Sequence, residues 1–230
     1  MSVPAPGLSG LLWPIHPKPL PDELLSCWLI RIARGFGTTV DRFCEQVWPE
    51  PVWGGDFDLS VGKEILRLMA VRTGTPYDQV AQMPLTVYAD HLSAPAPTLF
   101  DAAARGKGLR FCQMCLDKDA IPYYRRAWRL SFVTVCALHG ARLATKCAGC
   151  GRGTDLQAVP LDEAESLAVC FACTNKISGA RAVNIHPQRV RRAGAMQQRL
   201  YRLLVTLNEC PAMDLSGDVV RLVAANASGA

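Results

Sequence analysis

The sequence predicts an α-rich chain of several small domains, and three observations lead there. Apolar residues in the first hundred positions recur at helical spacing between proline and glycine breaks. Between residues 112 and 173, seven cysteines and one histidine come in pairs that enclose two residues, and Cys210 stands alone. The charge changes sign sharply along the chain. The 230 residues are 50% hydrophobic and 20% charged, which is globular composition and not that of a disordered chain. No uncharged apolar run approaches the ~18 residues of a membrane span. The apolar stretch 8–15 is interrupted by Gly10 and Pro14 and has no basic region before it, which argues against a secretory signal. Without export, the ten cysteines are expected to be metal ligands and not disulfides.

The first element is a helix from Pro21 to about Arg34, with Asp22 and Glu23 at its positive end and Gly35 as its stop. Leu24, Leu25, Trp28, Leu29, Ile32 and Ala33 form its apolar face. A second helix follows Thr39, with Val40, Phe43, Cys44, Val47 and Trp48 on one face and Pro49 ending it. Cys27 and Cys44 lack a paired neighbour and read as core residues. After a loop rich in Trp, Gly and Pro, a third helix spans about Val61–Thr73, with Ile65, Leu66, Leu68 and Met69 inward. Gly74 breaks it, and a short fourth helix runs from Pro76 to about Met83. This outline makes residues 1–104 a helix-turn-helix-like domain. The segment carries a net charge of −4, and its fourth helix has no Lys or Arg, which disfavours strong contact with phosphates.

Residues 105–178 form the second domain. Its pairs Cys112/Cys115, Cys136/His139, Cys147/Cys150 and Cys170/Cys173 have the tight spacing that lets two side chains grip one tetrahedral ion. Twenty residues separate the first and second pairs, and nineteen separate the third and fourth, which is zinc-ribbon spacing. Sequential pairing yields two structural Zn2+ sites, Cys112–Cys115–Cys136–His139 and Cys147–Cys150–Cys170–Cys173, in two small zinc-ribbon modules. It is preferred to a cross-brace because each ribbon then closes locally. With all four positions filled by protein, no place is left for an activated water, and neither HExxH nor a deaminase signature is present. The chain is therefore read as non-enzymatic.

Residues 105–151 carry a net charge of +7 and residues 179–202 carry +6 with six arginines and no acid. Two basic blocks behind an acidic front suggest a bounded polyanion contact. Its candidate side chains are Lys107, Arg110, Arg125, Arg126, Arg129, Arg142 and Lys146 in the cysteine-rich domain. Arg181, Arg189, Arg191, Arg192, Arg199 and Arg202 supply the second block. Arg125, Arg126 and Arg129 alternate with Tyr123, Tyr124, Trp128 and Phe132 and are expected to be at least partly exposed, with Trp128 buried. In residues 179–230, a basic amphipathic helix from Pro187 to about Leu207 carries Val190, Met196, Leu200, Leu203 and Leu204 as its stripe.

In order along the chain, Leu20-Pro21-Asp22-Glu23-Leu24-Leu25-Ser26-Cys27-Trp28-Leu29-Ile30-Arg31-Ile32-Ala33, Phe111-Cys112-Gln113-Met114-Cys115, Tyr124-Arg125-Arg126-Ala127-Trp128, Val135-Cys136-Ala137-Leu138-His139-Gly140 and Cys147-Ala148-Gly149-Cys150-Gly151 resemble the TniQ family, with its TnsD-like target selectors of transposons. The resemblance covers residues ~11–175. It implies a helix-turn-helix domain followed by paired zinc ribbons, with the eight ligands as named. It also implies a role as an adaptor in DNA transposition, linking target DNA or a CRISPR effector complex to an AAA+ ATPase that recruits the transposase. The expected partners are DNA, mostly through its backbone, the ATPase, a CRISPR effector complex and a second copy of the chain. The expected location is the cytoplasm, on the nucleoid. Gln113, Ala137 and Ala148 stand where relatives often have proline, and TnsD-like members that read a specific site usually have a longer C-terminal region. The alternative is a stand-alone DNA-binding transcription regulator built from the same modules.

Overall fold

A computed structural model describes residues 12–89, 100, 107–161 and 167–177. Its helices are α1 (Leu25–Gly35), α2 (Val40–Val47), α3 (Phe57–Ser60), α4 (Lys63–Thr73), α5 (Tyr77–Ala81), α6 (Thr86–Ala89) and α7 (Gln113–Lys118), with a 3-10 turn at Arg126–Arg129. Among the described residues there is no extended strand. The cysteine-rich part is held by isolated antiparallel bridges such as Val135 with Arg142, Lys146 with Gly153 and Val169 with Lys176. The helix expected from Pro187 and the unpaired Cys210 lie outside the described residues. No described helix is long and apolar enough to cross a membrane.

Helix α1 is the centre of the molecule. Leu25 through Ile30, Ile32 and Ala33 are all buried, so the helix is covered on nearly every side. It starts four residues later than Pro21 because residues 22–24 place their backbone groups elsewhere. Glu23 forms a bridge with Arg125. The Leu24 amide donates to the Tyr124 carbonyl at 2.8 Å, and the Arg126 amide donates to the Asp22 carbonyl at 2.8 Å. The opened N-terminus of α1 is then capped from a distance. Asp58 of α3 accepts from the Ser26 amide and the Ser26 hydroxyl, both at 2.8 Å.

Helix α2 follows its predicted limits, with Thr39 as N-cap and Phe43 packed between Trp13, Phe36 and Trp48. Helix α4 begins at Lys63 and ends at Gly74, whose φ of 59° is the left-handed stop the sequence indicates. Leu66 and Met69 are buried, and Ile65 and Leu68 are partly so. Helix α5 is only five residues long. The helix, glycine turn, helix outline is therefore present, but it does not by itself establish a DNA-reading helix-turn-helix.

One continuous core spans the two halves that the sequence separates near residue 105. Trp28, Leu29 and Phe43 belong to the same cluster as Phe111, Tyr124, Trp128 and Leu130. Tyr124 sits at the junction, edge-on to Phe111 and Trp128 at 6.2 and 5.9 Å. Its amide donates to Cys27 Sγ at 3.4 Å, which gives one predicted core cysteine a specific place in that junction.

Candidate metal centres

The four residues of each sequential set converge. Cys112, Cys115, Cys136 and His139 bring their ligand atoms within 4.8 Å of one another, as do Cys147, Cys150, Cys170 and Cys173. In the first set, His139 Nδ1 lies 3.6, 3.3 and 3.7 Å from the sulfurs of Cys112, Cys115 and Cys136. Cys115 and Cys136 are 3.6 Å apart. In the second, Cys147–Cys173 and Cys150–Cys170 are separated by 3.7 and 3.6 Å. A tetrahedron with bonds of about 2.0–2.3 Å has edges of about 3.5–3.8 Å. Both sets therefore fit one tetrahedral ion each, and the donor chemistry of thiolates with one imidazole suits a soft or borderline metal.

The two centres are built differently. Three of the four pairs sit in one repeated turn. In each, the first cysteine accepts at its carbonyl from the amide four residues on and donates its own amide to the carbonyl five residues on. The bonds are Gly140→Cys136 and Cys136→Ala141, Gly151→Cys147 and Cys147→Arg152, and Thr174→Cys170 and Cys170→Asn175, all at 2.7–2.9 Å. The residue after the second ligand has positive φ each time, 61° at Gly140, 74° at Gly151 and 56° at Thr174. The pair Cys112/Cys115 is different, since it lies at the start of α7 with Cys112 as N-cap. The two expected metal-binding modules are thus present as ligand clusters of different construction. One centre is helix plus turn, the other is two turns facing each other, and strands are replaced by single bridges.

The turn geometry gives a test with opposite signs. A Cβ on Gly151 would meet no atom within 4 Å, so its cost is purely conformational. Gly151→Ala is expected to lower stability by about 1 kcal/mol, and Thr174→Gly to raise it by somewhat less, because glycine also has more freedom to lose on folding. Urea unfolding of metal-loaded protein measures both, and the same sign for both would refute the strain argument.

The basic residues divide into buried and exposed groups. Arg129, expected to be at least partly exposed, is instead buried, being 1% accessible. Its guanidinium donates to Asp56 Oδ2 at 2.5 Å, to Asp56 Oδ1 at 3.2 Å and to Asp58 Oδ2 at 3.2 Å. Burial pushes the Asp58 carboxyl up to about 6, against the opposing pull of Arg129 and Ser26. Arg125 is mostly covered too. It pairs with Asp119 at 2.9 Å and lies over the rings of Tyr123 and Trp128, 4.3 and 5.0 Å from their centroids. Arg126 pairs with Asp22 at 3.3 Å and donates to the Gln82 carbonyl. Arg126 and Arg129 fasten the cysteine-rich half to the helical half, whereas the Arg125 side chain is held within the cysteine-rich half, and Trp128 is buried among them as expected. Arg125 and Arg126 keep partial exposure as expected, and of the three Arg129 alone departs, because charge alternating with aromatics looks the same in sequence whether it meets solvent or an acidic surface of the same chain.

Arg110 is half-buried and donates to the carbonyls of Val133 and Ser131 at 2.6 and 3.1 Å. Lys107 remains largely exposed while pairing with Asp155 at 3.2 Å. Arg142 and Lys146 are exposed. So are Arg152 and Lys176, which the sequence reading did not single out and which the turns carry beside the second centre. The six arginines from Arg181 to Arg202 lie outside the described residues. Further contacts tie the second centre to the helices. Arg34 donates to the Val159 and Pro160 carbonyls at 3.0 Å each, and Trp53 Nε1 donates to Gln157 Oε1 at 2.8 Å.

A search of curated proteins finds no match. The TniQ family model, in contrast, matches residues 14–143, from the segment leading into α1 through all four residues of the first centre. With more than half of its length matched in this way, the chain belongs to the TniQ family.

Proposed function

We propose that this protein is a non-enzymatic transposition adaptor that connects target DNA, or a DNA-bound targeting complex, to an AAA+ ATPase. The observation that carries the reading is the TniQ match, which associates the chain with transposition. In this proposal both centres hold Zn2+, and the metal is structural because four protein donors complete each coordination shell. DNA contact falls to the exposed Arg142 and Lys146 together with Arg181, Arg189, Arg191, Arg192, Arg199 and Arg202. Arg125, Arg126 and Arg129 are withdrawn from that surface, since all three are engaged within the chain. Phosphate contacts of this kind position a protein without reading sequence, so the target is selected jointly with a partner.

The deciding experiment is co-purification with the AAA+ ATPase encoded at the same locus, on duplex DNA with ATP. The expected result is co-elution that is lost when DNA or ATP is omitted. Absence of association, together with tight binding of one DNA sequence by this chain alone, would overturn the adaptor reading in favour of a transcription regulator.

A further inference from the structure

The three ligand turns share a gradient of burial. The first ligand of each is buried, at 3% accessible for Cys136, 5% for Cys147 and 4% for Cys170. The second ligand faces outward, with His139 and Cys173 half-buried and Cys150 exposed. The two centres therefore differ in what they turn to solvent. The first presents an imidazole and keeps its sulfurs, on Cys112, Cys115 and Cys136, at most 3% accessible. At the equivalent turn position the second presents the sulfur of Cys150.

Local geometry keeps that sulfur open. Cys150 stands between Gly149 and Gly151, so neither chain neighbour has a side chain to cover it. A Cβ on Gly151 would meet no atom within 4 Å, which leaves the space beside Cys150 free. A second sulfur is already in reach, because Cys170 Sγ lies 3.6 Å from Cys150 Sγ. An accessible thiolate with a resolving cysteine beside it is the arrangement that small oxidants attack selectively. Histidine at the same place in the first centre offers no such chemistry.

We propose that Cys150 is a modification site for peroxides and that its oxidation opens the second centre while the first survives, a reading that rests on both centres holding metal and not on the adaptor role. The Cys150 sulfur attacks one oxygen of the peroxide, the O–O bond breaks, and hydroxide leaves the sulfur as a sulfenic acid. The Cys170 thiolate then attacks the Cys150 sulfur, an S–S bond forms and a second hydroxide leaves. Two protons from solvent turn both hydroxides into water, so two thiolates lose the two electrons that the peroxide gains. Only Cys147 and Cys173 remain as donors, too few for a closed tetrahedral shell. The contacts of Arg34 with the Val159 and Pro160 carbonyls and of Trp53 with Gln157 then lose their support.

The test uses the full-length, metal-loaded chain with hydrogen peroxide as the probe. Elemental analysis gives the metal content beforehand, and a coloured chelator follows release. One ion of two is expected to leave while far-ultraviolet dichroism shows the helices retained. Differential alkylation with mass spectrometry should place the new disulfide at Cys150–Cys170. Cys150→His supplies the kind of ligand that His139 supplies in the first centre, and it should slow release by about ten-fold or more. Cys210→Ser removes a thiol that belongs to neither centre and should leave the rate unchanged.

Release of both ions at one rate, release of none, or a rate that falls in Cys210→Ser would overturn the proposal. If Cys150→His does not load two ions, the alkylation pattern of the wild type decides, and a disulfide confined to the first centre would be decisive against Cys150. Fewer than two ions before peroxide is added would overturn the metal reading itself, and this proposal with it.

Discussion

Replacing Arg129 with methionine is expected to destabilise the folded chain by about 3–5 kcal/mol, the cost of leaving buried charge without its partner. Arg129 is held between Asp56 and Asp58, and Asp58 is 2% exposed while also capping α1 through Ser26. The loss thus reaches both halves of the core. The defect should depend on pH. Asp58 in the native chain already lies above the usual carboxylate value, at about 6, so the folded state holds its proton more tightly than the unfolded state. A carboxyl raised in this way contributes most below its unfolded value of about 4 and loses that contribution as pH rises through its folded value. Without Arg129 the folded value rises further, so the variant should fall further behind the wild type at pH 8 than at pH 5.

Urea unfolding of both proteins at the two pH values measures this, and using the difference cancels any pH effect on the metal centres. Adding Asp56→Asn and Asp58→Asn to Arg129→Met should recover a large part of the loss. A cost below 1 kcal/mol, independent of pH, would mean that the arginine is not the fastener its geometry indicates.

Removal of metal should have the other large effect. Zinc bound by four protein ligands in small modules supplies roughly 10–16 kcal/mol of folding free energy, against a net stability of about 5–15 kcal/mol for a whole domain. A strong chelator is therefore expected to unfold the cysteine-rich half and release Trp128 from its buried position, seen as loss of near-ultraviolet dichroism. The two centres should differ in consequence. Cys112, Cys115 and Cys136 are at most 3% exposed and belong to the shared core, whereas Cys150 in the second centre is exposed. Cys115→Ser is expected to leave little folded protein, while Cys150→Ser should bind one metal ion fewer and retain the α1 core. Elemental analysis with thermal unfolding checks both. Unchanged cooperativity in metal-free protein would remove the structural role of the ions.

Much of the candidate site was legible in the sequence because metal-ligand spacing is local. Two side chains three positions apart grip one ion where the backbone folds back tightly, so Cys136/His139, Cys147/Cys150 and Cys170/Cys173 mark their turns directly, and Gly140 and Gly151 mark the left-handed residue that closes two of them. Thr174 hides the third. Helices α2 and α4 were equally readable, since Thr39 and Gly74 set their limits through neighbouring backbone groups.

The sequence by itself determined these local features: the helical front, the eight candidate metal-binding residues, their sequential grouping and the family. Tertiary structure decided where α1 begins, which arginines face solvent and whether the two halves share a core. Each depends on partners distant in the chain. Tyr124 and Arg126 draw residues 22–24 out of the helix, and Asp58 caps α1 from thirty-two residues away. Asp56 and Asp58 bury Arg129 across more than seventy. Residue spacing records a local turn faithfully, but a charge carries no mark of the counter-charge it will meet, and only the folded chain brings the two together.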